Sequence, residues 1–133
     1  QPLRRQTLVL VTDQFQCERI IKAGRAIAGI THTQLRVFHI CAEGRTSDPG
    51  ALQYLYNSAK ENGSVLEIAY NSDFMGAITE TLESTNTVNV ITGQPGDEDS
   101  VLYTLWNRFP GIKFFTADAD GRLDMVSTVR VAE

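Results

Sequence analysis

The stretch "TLVLVTDQFQCERIIKAGRAIAGITHTQLRVFHI", residues 7–40, changes its period twice. Thr7 to Val11 is a short, β-branched apolar run, the pattern of a strand buried on both faces. From Gln16 to Gly29 the spacing becomes helical, with Ile20, Ala23, Ile27 and Ile30 three or four apart on one face. Gln34 to Ile40 returns to strand character. Strand, helix and strand in that order make a crossover between parallel strands.

The rest of the chain repeats this unit. In "DPGALQYLYNSAKENG", Asp48 is a natural N-cap and Pro49 stands at the first helical position. Leu52, Leu55, Tyr56 and Ala59 form the expected apolar stripe, and Gly63 is the stop. Ser64 to Tyr70 reads as a strand. Ser72 or Asp73 then caps a helix carrying Ile78 and Leu82, and Thr87 to Thr92 is the fourth strand. A helix from about Asp97 to Phe109 presents Val101, Leu102, Leu105, Trp106 and Phe109, and Pro110-Gly111 ends it before the strand "IKFFTA". Five strands alternating with four helices predict an α/β domain, a doubly wound parallel sheet with helices on both faces. The rhythm breaks at the end, where Asp120-Gly121 between two strand-like runs signals an antiparallel hairpin over residues 112–131. No linker or composition shift interrupts the chain. One domain over residues 1–133, with its core at 7–118, is the expectation.

Composition narrows the function. Of 133 residues, 42% are hydrophobic and 21% charged, as in ordinary globular domains. No apolar run approaches the ~20 residues of a membrane span, so no membrane insertion is expected. A net charge of -4 argues against a nucleic-acid surface, which needs clustered Lys and Arg. Two cysteines, Cys17 and Cys41, are too few for a disulfide scaffold and point to a reducing cytoplasm. The chain starts at Gln1 without Met, the expectation for a segment of something longer.

Ligands of open α/β sheets bind beyond the carboxyl ends of the strands, where strand order reverses. Here those ends are Thr12-Asp13-Gln14, Cys41 to Gly44, Asn71 to Asp73, Gly93 to Gly96, and Ala117-Asp118. Catalytic patterns are wanting. Cys17 sits near a helix start, which favours a thiolate, but Glu18 opposes it. Cys41 precedes Arg45 by four positions, where a phosphatase loop needs six. Both read as packed thiols, and His39, inside a strand, as a satisfied structural histidine. No zinc spacing, calcium loop or Gly-x-Ser-x-Gly elbow is present.

Taken together, "LVLVTDQFQCERIIKAGRAIA", "LRVFHI" leading into "ALQYLYNSAKENG", and "VNVITGQPG" resemble the universal stress protein family, including the version embedded in potassium-sensing histidine kinases. The resemblance covers roughly Thr7 to Asp118. It implies the strand order 3-2-1-4-5, a flavodoxin-like or adenine-nucleotide alpha-hydrolase-like winding, a cytoplasmic location and frequent dimers. It also implies a ligand site at Thr12, Asp13, Ile40, Cys41, Gly93, Gln94 and Gly96, occupied by ATP or a related adenine nucleotide in some members. The family's phosphate pattern is Gly-x2-Gly-x9-Gly-Ser/Thr. Gly93 and Gly96 match its first half, but Trp106 and Asn107 replace the second. An indole there blocks the close backbone approach a phosphate needs. Asp97, Glu98 and Asp99 add like charge.

The expectation is therefore a non-catalytic stress-response or sensing domain with a degenerate nucleotide site. Its alternatives are an ATP-binding member with slow hydrolysis, using Asp13 and Gly93 to Gly96, and an interaction domain of a larger signalling or transport protein. The C-terminal edge strand, with Val126 and Val129, is a template for a homodimer.

Overall fold

A computed structural model of the chain describes residues 4–12, 14–41, 47–94 and 101–126. The elements are β1 (Gln6–Leu10), a 3-10 turn (Phe15–Cys17), α1 (Glu18–Thr31), β2 (Gln34–Cys41), α2 (Pro49–Glu61) and β3 (Leu66–Tyr70). Then follow α3 (Phe74–Ser84), β4 (Thr87–Gly93), α4 (Val101–Arg108), β5 (Lys113–Ala117) and β6 (Leu123–Met125). They build one sheet in the order β3-β2-β1-β4-β5-β6, parallel throughout except for β6. The alternating periodicity thus appears as expected, and so does the antiparallel strand after the Asp120-Gly121 turn; residues 127–131 of the expected hairpin lie outside the described residues.

Neighbouring residues of a strand point to opposite faces, so the sheet feeds two cores. Val9, Val37, Ile91 and Phe115 pack with Ile20, Ile21, Leu55 and Ala59 of α1 and α2. Leu8, Phe38, Val90 and Phe114 pack on the other face with Ile78, Leu82 and Leu105 of α3 and α4. Burial on both sides explains why these strands are continuous apolar runs.

The caps are the ones the sequence specifies. Asp48 Oδ1 accepts from the Gly50 and Ala51 amides at 3.0 and 3.2 Å, and Pro49 opens α2. Asp73 rather than Ser72 caps α3, accepting from Gly76 N at 2.9 Å. Gly63 and Gly121 both take positive φ, the first just beyond α2 and the second in the β5–β6 turn.

Two helical faces differ from the expectation. Ile30 is 74% exposed, because the buried stripe of α1 runs through Ile20, Gly24 and Ala28. At 3.6 residues per turn Ile30 lies about 200° around from Ala28. Tyr56 likewise turns outward beside Leu55, and Ala51 and Ser58 complete the α2 stripe instead. Gly24 has a packing reason: a Cβ there would stand 2.2 Å from Val9 Cγ2. At this point α1 rests on β1 with only a hydrogen between them. Among the described residues, no helix is long and apolar enough to cross a membrane.

Candidate functional site

From β1 the chain winds outward through β2 to β3, then returns to start the other half with β4. The reversal therefore lies between β1 and β4, which are direct neighbours in the sheet. Side-chain layers diverge at such a point and leave a crevice at the carboxyl ends of the strands.

Two cavities of about 250 Å³ each occupy that crevice and share Leu10, Thr12, Gly93 and Gln94. The first is apolar. Phe38 and Ile40 from β2, Phe74 at the start of α3, and Leu102 of α4 form its walls. The second lies on the α1 face and is polar, lined by Gln14, Gln16, Cys17 and Arg19. Each is close to the lower end of the ~300–1,000 Å³ range of ligand pockets, and Thr12 and Gln94 stand on both.

Arg19 is the cation of the polar half. Its Nε donates to the Asp118 carbonyl at 2.6 Å and a terminal nitrogen donates to the Gln16 carbonyl at 2.6 Å. Backbone oxygens thus hold the guanidinium at the cavity wall. Asp118 is ionised easily: the Arg122 amide beside its carboxylate is the main cause, with the Asp120 amide and the charges of Arg122 and Arg19 adding to it. Its Oδ1 accepts from both amides at 2.9 Å. Desolvation, second in size only to the Arg122 amide, works in the other direction without reversing the shift. At the floor of the polar cavity, Thr12 Oγ1 lies 3.4 Å from Cys17 Sγ.

Of the residues singled out in the sequence, the structure brings together Thr12, Ile40, Gly93 and Gln94. Asp13, Gly96 and the acidic run Asp97 to Asp99 lie outside the described residues. Cys41 lines neither cavity. It follows Ile40 in β2, so its side chain projects from the opposite face, where it meets Ser47. Trp106 lines neither cavity either; its ring packs on the α3–α4 core and edge-on to Tyr103 at 5.0 Å. Asn107 donates to the Tyr103 carbonyl one turn back. The second half of the phosphate pattern therefore falls inside α4.

Gly93 shows no steric demand for glycine, since a Cβ would meet only Ile20 Cδ1 at an ordinary 3.5 Å. Sequence reasoning did not place Phe74, Arg19 or Leu102 at the site. Phe74 carried a signal, a large apolar residue directly after a helix cap at a strand's carboxyl end. Arg19 carried none, because its role depends on a carbonyl 99 positions away.

The described lining offers amides, the Thr12 and Thr92 hydroxyls, the Cys17 thiol and one guanidinium around an apolar slot, which suits recognition. Among the described residues, no three His, Cys, Asp or Glu side chains converge as a metal site. The chain matches no known protein-family model and no curated protein.

Proposed function

We propose that the chain is a non-catalytic regulatory or sensing domain of the universal stress protein type, with flavodoxin-like winding, acting in the cytoplasm. It holds a small ligand across the ends of β1 and β4. The observation that carries this reading is the meeting of an apolar and a polar cavity at Thr12, Gly93 and Gln94, at the reversal of strand order. The ligand has an apolar, slot-filling part beside Phe38 and Ile40 and a polar part facing Gln16 and Arg19. Trp106 and Asn107, inside α4, give a triphosphate no second backbone cradle.

Thermal unfolding with and without ligand tests the proposal at matched ionic strength. A ligand at 100 times its dissociation constant adds roughly 2.7 kcal/mol. The expected result is no shift with Mg2+ and ATP or GTP, and a rise with a small amphipathic molecule from a metabolite screen. A screen without any stabilising compound would sink the reading.

A second reading, an ATP-binding member with slow hydrolysis, draws support from Ile40 in the apolar wall, where the resembled family seats adenine. A rise with ATP and none with GTP is the outcome that favours it. The third reading, an interaction domain of a larger signalling or transport protein or a homodimer, rests on β6 as an edge strand. Val126 is a poor probe of that edge. It is partly buried on the core and donates its amide to the Phe114 carbonyl at 2.7 Å, so a charge there unsettles the fold itself. Val129 lies outside the described residues.

A further inference from the structure

On the face of β2 opposite Ile40, three reactive side chains form a chain of contacts that the ligand crevice does not use. Cys41 Sγ lies 3.2 Å from Ser47 Oγ, and Ser47 Oγ lies 3.1 Å from His39 Nε2. The other ring nitrogen, His39 Nδ1, is 3.0 Å from the Val11 carbonyl. A carbonyl only accepts, so Nδ1 carries a proton and, in the neutral ring, Nε2 is the basic atom facing Ser47. Cys41 and His39 are each 6% exposed, and Ser47 is partly buried beside them.

We propose that Cys41 is a peroxide-reactive modification site, with Ser47 relaying its proton to His39. The relay starts with Cys41 S–H turned toward Ser47 Oγ and Ser47 O–H donating to His39 Nε2; the contact in the structure has the opposite sense, Ser47 O–H donating to Cys41 Sγ, which is the sense the relay ends on. Shifting both protons one step leaves a thiolate accepting from Ser47 and an imidazolium donating to it. His39 then donates from both nitrogens, to Ser47 and to Val11. Such an arrangement makes the thiolate, the reactive form of cysteine, available beside its own proton store.

The step balances with one peroxide. The sulfur attacks an oxygen, the S–O bond forms as the O–O bond breaks, and the departing hydroxide takes the proton held on His39 through Ser47. Cys41 becomes a sulfenic acid, the peroxide is reduced, and one water leaves. The small exposure of Cys41 selects hydrogen peroxide over bulky electrophiles. Cys17 is an internal comparator, since it is equally buried at 5%, packs in the apolar core and has its thiol beside the Thr12 hydroxyl rather than a Ser–His pair.

The test is a brief pulse of hydrogen peroxide on the folded chain, quenched with catalase. The protein is then unfolded in dimedone, and both cysteines are mapped by mass spectrometry. Cys41 is expected to oxidise faster than Cys17, and faster than Cys41 itself in urea. Ser47→Ala and His39→Gln are expected to slow Cys41 by on the order of a hundredfold, the low end for a positioned acid–base partner. Ser47→Thr, which keeps the hydroxyl, retains most of the rate. A variant that merely loosens the fold raises both cysteines together, so the Cys41-to-Cys17 ratio isolates the relay. Equal oxidation of the two cysteines in the folded chain overturns the proposal. So does a ratio unmoved by both Ser47→Ala and His39→Gln.

Discussion

Arg19 and Asp118 stand 99 positions apart in sequence and 2.6 Å apart in space, the guanidinium Nε of one donating to the backbone carbonyl of the other. This contact ties the start of the first helix to the end of the fifth strand, across the mouth of the crevice. It also fixes the only cation on the polar cavity's described lining.

Replacing Arg19 by Ala removes this bond and its partner to Gln16. Hydrogen bonds from charged groups contribute about 1.5–3 kcal/mol each when well ordered, and the partial exposure of Arg19 lowers that to about 1–2 in total. Hydrogen exchange is expected to quicken in the β5–β6 turn before it does in β1 or β2. Unchanged protection at Gly121 and Arg122 would show the latch to be idle.

The Asp118 carboxylate predicts an acid response. Its folded pKa lies below the ordinary aspartate value because the Arg122 and Asp120 amides, and the charge of Arg122 and Arg19, favour the ionised form. The stabilisation is therefore present above the ordinary value, near pH 4, and is lost as pH falls through the depressed one. Asp118→Asn is expected to flatten the fall in the urea midpoint over that acid window and to leave its slope near neutrality alone. Parallel curves for the two proteins would contradict it.

Gly24→Ala places a methyl 2.2 Å from Val9 Cγ2 and 3.2 Å from Leu35 Cδ1. Overpacking costs about 1–3 kcal/mol, and the gain in helix propensity returns up to about 1. A net loss of about 1–2 kcal/mol is expected in chemical denaturation. Gly29→Ala, with nothing within 4 Å, is the control and is expected to stabilise slightly.

Gly93→Ala separates binding from folding. The added methyl makes one ordinary contact with Ile20, so stability is expected to stay within about 0.5 kcal/mol of the parent. Gly93 is nevertheless on the wall shared by both cavities. Affinity for any ligand found by the thermal screen is expected to fall by about tenfold or more, as a methyl intrudes on a filled site. Equal affinity in calorimetry would move the ligand elsewhere.

Asn89 is buried in β4 and donates through Nδ2 to Thr7 Oγ1 at 3.0 Å and to Thr31 Oγ1 at 3.1 Å. It joins the two strands at the reversal to the end of α1. Asn89→Ala leaves those hydroxyls short of a donor and is expected to cost about 1–3 kcal/mol. The double change Asn89→Leu with Thr7→Val, in the same denaturation assay, is expected to cost less than the sum of its parts.

Much of the architecture is local information. Short apolar runs, Asp48-Pro49, Asp73 and Asp120-Gly121 each specify an element or its end through backbone chemistry a few residues wide. The alternation of periods then leaves a parallel, two-faced sheet as the natural assembly. Ile30 and Tyr56 show the limit of such reading. A helical stripe is broad, and only docking on β1 decided that Gly24, and not Ile30, faces inward.

The site divides along the same line. That Thr12, Gly93 and Gln94 lie at strand ends was legible from the order of elements, while the strand order that sets them beside Ile40 in one crevice was implied only by the resemblance. Which face each neighbour serves was not legible. Ile40 looks into the crevice while Cys41, one peptide further, meets Ser47 and through it His39. Arg19 reaches a carbonyl that the chain brings near only after all five parallel strands have paired. Sequence alone determined the elements, their succession along the chain and which residues end each strand, because these depend on period and local caps. Tertiary structure decided which side chains meet there, because contacts over dozens of residues are set by register and the pleat, and no short window of sequence contains either.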